Sequence, residues 1–389
     1  MQLIEDANAM GKKPPFSLLL SLVNLILQPK EKLKTKKLLK EHWIYCKRAH
    51  AILMDALYLF GTEIYSPLWN QFRNFELIPT KRAQRALDDD YNVLDTNTLR
   101  EYSDFWGLVN RVLNHGGKDL ETKCRKLILD LFVNILQYDL KSVINDENGV
   151  KDSIFIQTLK KDALCTLSKF DNYLKILLSK FPNDDEELMH LSGDIFNMLI
   201  TISCYEQIAH MDELVKQTYK LFQRMDAESC QQLMQVIKYP TFLILLCDKA
   251  LADTNIIKVP KEHQHYRNAP HVPLHLEKTF FYVLKTLPND NNTLEGIYRH
   301  VAIVFKYCAC VFSTATISHK RDITETNSAL PEDQLILLIT FQHQIIKEWE
   351  NMVEELINNV GFSDQEDVEL VEKIRWTVKL TKLSIIEYF

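Results

Sequence analysis

The chain has 389 residues, 46% hydrophobic and 25% charged, with only 9 glycines, against a usual glycine level of roughly 7%. So few glycines exclude most strand-and-turn folds, which place Gly at hairpins and bulges. With 46 Lys and Arg against 52 Asp and Glu, the net charge of −6 excludes a generic polyanion binder and confines any nucleic-acid surface to a local patch.

The first predicted element covers Phe16 to Gln28. Its apolar run Phe16 to Leu27 falls short of the ~18 residues that a membrane span needs. Lys12 and Lys13 in front of it imitate a signal peptide, but Glu5 and Asp6 lie upstream and no small-residue cleavage pattern follows. A soluble chain without membrane contact is expected. Ser17, Ser21, Asn24 and Gln28 recur at four, three and four and form one polar stripe, while Leu18, Leu19, Leu20, Leu22, Val23, Leu25 and Ile26 cover the rest of the helix. A helix this apolar and this short must be enclosed, either by the chain's own body or by a groove on another protein.

After Pro29 the pattern turns basic. Lys30, Lys34, Lys37 and Arg48 fall on one helical stripe, and Lys36, Lys40 and Lys47 on an adjacent one, with Trp43 and Tyr45 near them. Two cationic rows can follow a phosphate backbone; they also suit a solvated helix face. Between Lys12 and Arg48 there are ten basic residues and two acids, whereas Glu348 to Glu372 holds nine acids and no Lys or Arg. The ends are electrostatic opposites.

Further along, apolar residues recur at three and four, as in Leu120, Cys124, Leu127, Ile128, Leu131, Ile135 and Leu136, and no stretch sustains the alternation of a half-buried strand. Breaks at Pro, Gly and Asn clusters separate about twelve to fifteen helices. Asp152, Asn183 and Ser363 stand where N-caps are expected. The fold class read from this is all-α. Antiparallel helices joined by short turns, at about 25 to 45 residues per pair, suggest a HEAT-like α-solenoid. The domain reading is 1–60 for the N-terminal partner-binding and basic helices, 61–258 for a helical body, 259–273 for a Pro- and His-rich loop, and 274–389 for a C-terminal helical extension.

Candidate chemistry is sparse. His263, His265, His271 and His275 match no usual zinc spacing and read as incidental loop histidines. Cys308 and Cys310 lie in an apolar run and read as core. The eight cysteines as a set resemble buried, reduced thiols of an intracellular protein. Asp88-Asp89-Asp90 reads as surface. There is no P-loop, glycine-rich dinucleotide turn, nucleophile elbow or H-E-x-x-H pair, and the Arg-to-His intervals at 111–115 and 267–271 are too short for a helical HEPN nuclease. The expectation is a nonenzymatic protein with no metal and no cofactor.

Several stretches in order resemble the family of meiosis inhibitor protein four, the meiosis-specific accessory proteins of programmed DNA double-strand breaks. They are Leu18-Leu19-Leu20-Ser21-Leu22-Val23 with the break at Pro29 and the charged helix carrying Trp43, then Asp104-Phe105-Trp106, then Phe155-Ile156-Gln157 with Ala163-Leu164-Cys165-Thr166-Leu167 and Ile176-Leu177-Leu178. Asp194-Ile195-Phe196 with Glu206-Gln207-Ile208 follows, and last Tyr239-Pro240-Thr241-Phe242 leading into Leu243 to Leu246. The order is the argument, and the chain runs on from Ala250 to Phe389 without a family counterpart.

The resemblance implies a HEAT-like nuclear protein of meiotic chromosomes, matching a fungal member. Its partner would have a pleckstrin-homology-like domain and dimerise through its C-terminal segment. The assembly would bind DNA and chromosome axis proteins and help recruit the nuclease machinery that breaks DNA for recombination. By position, Leu19, Leu22, Val23 and Ile26 would contact the partner. Lys30, Lys34, Lys36, Lys37 and Lys40 would face DNA, and the cationic stripes add Lys47 and Arg48. The rival expectation is an unrelated α-solenoid adaptor that binds a peptide or helix of another protein.

Overall fold

The computed structural model describes residues 1–28, 35–74, 98–114, 119–144, 153–159, 171–179, 181, 185–205, 211–252, 284, 293–322, 332–361 and 365–386. Among the described residues there are fifteen α-helices and no strand, so the chain is all-α. It divides into two compact units, Met1–His210 and Met211–Phe389. That division lies inside the stretch 61–258 expected to be one body, while 259–273 lies outside the described residues.

The first unit holds α1 (Gln2–Ala9), α2 (Phe16–Leu27), α3 (Lys36–Phe60), α4 (Ser66–Trp69), α5 (Phe105–Asn114), α6 (Leu120–Val143), α7 (Ile154–Thr158), α8 (Asp171–Leu178) and α9 (Glu186–Tyr205), with 3-10 turns at Thr62–Tyr65 and Thr98–Glu101. Its hub is α6, which packs against α2, α3, α5, α7 and α9. The reason is legible in its side chains: Ile128, Leu129, Leu131, Phe132, Val133, Ile135 and Leu136 are all buried, so apolar residues cover more than half of its circumference. Phe132 sits in an aromatic cage, 4.9 Å from the Trp69 ring and 5.2 Å from Phe72. Beside it Trp106 stacks on Tyr173 at 4.1 Å and ties α5 to α8. Because α2 and α3 pack on each other and on α6, both helices share this core.

Helix starts follow the capping chemistry, with shifts of residue. Ser153 caps α7 by accepting from the Ile156 N–H at 3.2 Å. Asp185 accepts from the Leu188 N–H at the start of α9. The expected caps Asp152, Asn183 and Ser363 lie outside the described residues. Asp119 caps α6 through the Thr122 N–H at 2.7 Å, and that hydrogen bond holds its carboxyl below the usual range. Gly61 ends α3 at φ +75°, a conformation that strains any side-chain-bearing residue.

In the second unit are α10 (Met211–Phe222), α11 (Ala227–Val236), α12 (Pro240–Ala252), α13 (Leu294–Asp322), α14 (Glu332–Val360) and α15 (Gln365–Ile386). Its hub, α13, packs against α11, α12, α14 and α15. The first turns of α13 also form a polar clasp. Arg299 donates to the Phe222 carbonyl at 2.7 Å and to the Gln223 carbonyl at 3.3 Å, at the C-terminal end of α10. Glu295 accepts from the Ala227 N–H at 2.6 Å, at the start of α11. Tyr298 donates to Gln231 at 2.7 Å. The Arg299 and Glu295 bonds meet backbone groups at helix ends, and each charge complements the helix dipole it meets. On the other side, Arg375 of α15 grips Glu354 of α14 with two bonds of 2.8 and 2.9 Å.

Candidate nucleic-acid interface

The residues singled out by sequence fall on α2 and α3. Thr35 caps α3 by accepting from the Leu38 N–H at 3.3 Å, which starts the helix at Lys36. Lys30 and Lys34 lie outside the described residues, and so does the side chain of Lys36. Lys37, Lys40 and Lys47 are exposed. Lys40 and Lys47 stand two turns apart on one flank, about 10 Å along the axis. The Lys47 ammonium lies 5.5 Å from the centre of the Trp43 ring.

Arg48 departs from the expected DNA face. Its guanidinium makes a two-bond ion pair with Glu5 of α1, Nε to Oε1 at 2.7 Å and Nη2 to Oε2 at 2.5 Å, and Nη2 also reaches Gln2. The pair lowers the Glu5 pKa and raises that of Arg48. Arg48 is therefore a fastener between α1 and α3. No spacing rule pairs residues so far apart in sequence, and the only hint was the acidic Glu5-Asp6 beside an otherwise basic region.

The expected partner-contacting residues also turn out differently. Leu19, Leu22, Val23 and Ile26 are buried within the first unit, where α2 packs between α3, α6 and the turn at Thr98–Glu101. Of the two enclosures open to such a helix, the chain's own body supplies this one. Three residues of the polar stripe, Ser17, Ser21 and Gln28, are exposed, whereas Asn24 packs on the turn at Thr98–Glu101 and accepts from both the N–H and the hydroxyl of Thr98 at 3.1 and 2.8 Å.

Of the apolar side chains on α3, the sequence marks Tyr45 beside the lysines but not Leu38 or Ile44. Leu38, Ile44 and Tyr45 are exposed, Ile44 at 61%, beside Lys37, Lys40 and Lys47. The inward face joins α3 to α6: the buried thiols of Cys46 and Cys124 are 3.7 Å apart, and His50 Nε2 is 3.0 Å from an Asp130 carboxylate oxygen. The exposed first half of α3 thus offers three ammonium groups and Ile44 on one flank, and Leu38 and Tyr45 on the other.

Elsewhere the titratable groups are structural in placement. Burial pushes the Cys230 thiol up to about 11 and the Cys308 thiol up to about 12, which keeps both protonated at neutral pH and poor as nucleophiles. Cys310 is likewise buried on α13. Among the described residues no group of three or more His, Cys, Asp or Glu is placed to hold a metal ion, and no helix is long and apolar enough to cross a membrane. His263, His265, His271, His275 and Asp88-Asp89-Asp90 lie outside the described residues. No family model matches the chain, and no curated protein is significantly similar to it.

Proposed function

We propose that the chain is a nonenzymatic, HEAT-like helical scaffold of meiotic chromosomes in the nucleus. With a pleckstrin-homology-like partner that dimerises, it binds DNA and promotes programmed double-strand breaks through the axis proteins and the nuclease machinery. The observation that carries the DNA part is the exposure of Lys37, Lys40 and Lys47 on α3, in a region with ten basic residues and two acids. The meiotic part rests on the ordered resemblance from Pro14 to Ala250. Consecutive helices that pack on each other, α2 with α3, α8 with α9 and α14 with α15, support the solenoid reading.

With Leu19, Leu22, Val23 and Ile26 occupied in the core, the partner meets the exposed Leu38, Ile44 and Tyr45 instead. Phosphate contacts carry no base information, so DNA binding is insensitive to sequence, and clustering on a dimeric partner raises it by avidity. The test is affinity purification of the full chain from meiotic cells with mass spectrometry. The expected result is co-purification of the pleckstrin-homology-like protein and its loss in an Ile44→Glu/Tyr45→Glu variant. Recovery of only cytoplasmic clients, equally in dividing cells, would overturn the reading. It would establish the adaptor alternative, which the same exposed apolar residues favour.

A further inference from the structure

The outward face of α15 carries a stripe that the function above does not use. Val368, Glu372, Trp376, Lys379 and Leu383 are all exposed, with Trp376 at 62%, Leu383 at 52% and Val368 at 38%. At 100° per residue they fall within a sector about 80° wide. The opposite face is fixed, with Val371, Ile374, Val378, Thr381 and Ile385 buried, and on the flank beside Val368 the side chains of Arg375 and Lys382 are bound to Glu354 and Glu350 of α14. The helix therefore presents this stripe as a rigid surface. Lys379 sits near the Trp376 ring, at 6.0 Å from its centre.

The order of chemistry along the stripe is apolar, acidic, aromatic, basic, apolar. Reversing the helix direction exchanges the acid and the base and leaves the rest in place. Val368 and Leu383 are equidistant from a point between Arg375 and Trp376, and so are Glu372 and Lys379. A partner that complements the stripe must carry a base opposite Glu372 and an acid opposite Lys379, with apolar ends and a flat apolar centre. A second α15 run antiparallel meets each condition. A parallel copy would oppose Glu to Glu and Lys to Lys.

We propose that two copies of the chain associate through α15 across a two-fold axis, with Trp376 against Trp376, Glu372 against Lys379, and Val368 against Leu383 of the other copy. This is an isologous contact, self-complementary by symmetry. It is independent of the proposed meiotic role. The stripe is about 22 Å long, so it buries less than the roughly 800 Å² per partner of a stable interface. The dimer is therefore weak and concentration-dependent, with a dissociation constant in the micromolar range or above. Tryptophan at the centre dominates it, as central aromatic anchors do.

The experiment is sedimentation velocity of the full chain over a concentration series, with circular dichroism to verify folding; every substituted side chain is exposed. The wild type is expected to show a reversible monomer–dimer equilibrium, weakened at least ~tenfold by Trp376→Ala. Glu372→Lys alone and Lys379→Glu alone each place like charges across the axis and abolish the dimer. The double variant Glu372→Lys/Lys379→Glu restores it, and an equimolar mixture of the two single variants forms a heterodimer. A wild-type chain that stays monomeric at its highest soluble concentration would overturn the proposal and leave the stripe to a different protein. A dimer indifferent to the single reversals, or a double variant that does not recover, would overturn it as well.

Discussion

Helices α3 and α15 each bury one side in their own unit and expose large apolar residues on the other, yet their charges are arranged in opposite ways. In the first half of α3, Lys37, Lys40 and Lys47 are set against one exposed acid, Glu41, and the next exposed acid, Asp55, stands about three turns beyond Ile44. Within the stripe that holds Trp376, α15 sets one exposed acid, Glu372, and one exposed base, Lys379, while the exposed Glu369, Lys373 and Arg375 flank it. An excess of one sign needs a ligand of the other sign, and the phosphate backbone is the densest such ligand. A balanced, reversed pair needs no foreign ligand because a second copy supplies the complement. The lesson is that exposed apolar residues mark a docking face, while the charges beside them say which kind of partner fits.

The largest expected effect separates buried from exposed apolar residues in the first unit. Ile26→Glu places an unpaired carboxylate in the core and should cost about 3 to 5 kcal/mol, read as loss of cooperative unfolding in a circular-dichroism melt. Ile44→Glu on the outward side of α3 should leave the melting temperature unchanged. A folded Ile26→Glu chain that merely lost its partner would return α2 to the role of a docking helix.

Next in size is a pH effect at Asp139 on α6. Its side chain is buried and accepts from the Ile154 N–H, and burial pushes its carboxyl up to about 7. Between the unfolded value near 4 and the folded value, the unfolded chain loses its proton while the folded one keeps it. Stability therefore falls as pH rises across that window and levels off above it, by at most about 4 kcal/mol. Asp139→Asn keeps an acceptor for the Ile154 N–H and should flatten this fall. Denaturant unfolding at pH 5 and pH 8 checks it, and an unchanged profile in the variant would show that the carboxyl is not the cause.

In the second unit the corresponding weak point is polar. Arg299→Ala removes the guanidinium that donates to the Phe222 and Gln223 carbonyls, while Phe222 keeps the Met225 N–H, and should cost about 1 kcal/mol. Hydrogen exchange should quicken at the junction of α10 and α11 and stay unchanged in the first unit. Equal quickening everywhere would mean that the clasp does not act locally.

Part of this architecture was legible in the sequence. The apolar run Phe16–Leu27 is a helix with those bounds, and Ser17, Ser21 and Gln28 of its polar stripe are exposed, because a short run with one polar row leaves few alternatives. Periodicity says which side of a helix seeks cover but not which neighbour provides it. For that reason Leu19, Leu22, Val23 and Ile26 read equally well as core and as interface. Arg48 lies in a cationic stripe by spacing, and only the approach of α1 brings Glu5 to it. Pro29 is a visible break in the sequence, whereas the Thr35 cap that starts α3 at Lys36 is a single side chain in a lysine-rich run. The division at His210 falls outside the described helices and carries no Pro or Gly to announce it. The α15 stripe escaped notice because its acids and bases, taken singly, look like any solvated face.

The most direct test of the DNA-scaffold reading is an electrophoretic shift of the full chain on a duplex of mixed sequence across a salt series. The comparison is with Lys37→Glu/Lys40→Glu/Lys47→Glu, whose three changed side chains are exposed and should leave the fold intact. The expected result is binding that ignores sequence and weakens with salt. The slope of log affinity against log salt should flatten by about 0.9 for each lost contact. Equal affinity and equal slope in a correctly folded triple variant would contradict the account and make the outward side of α3 an ordinary solvated helix.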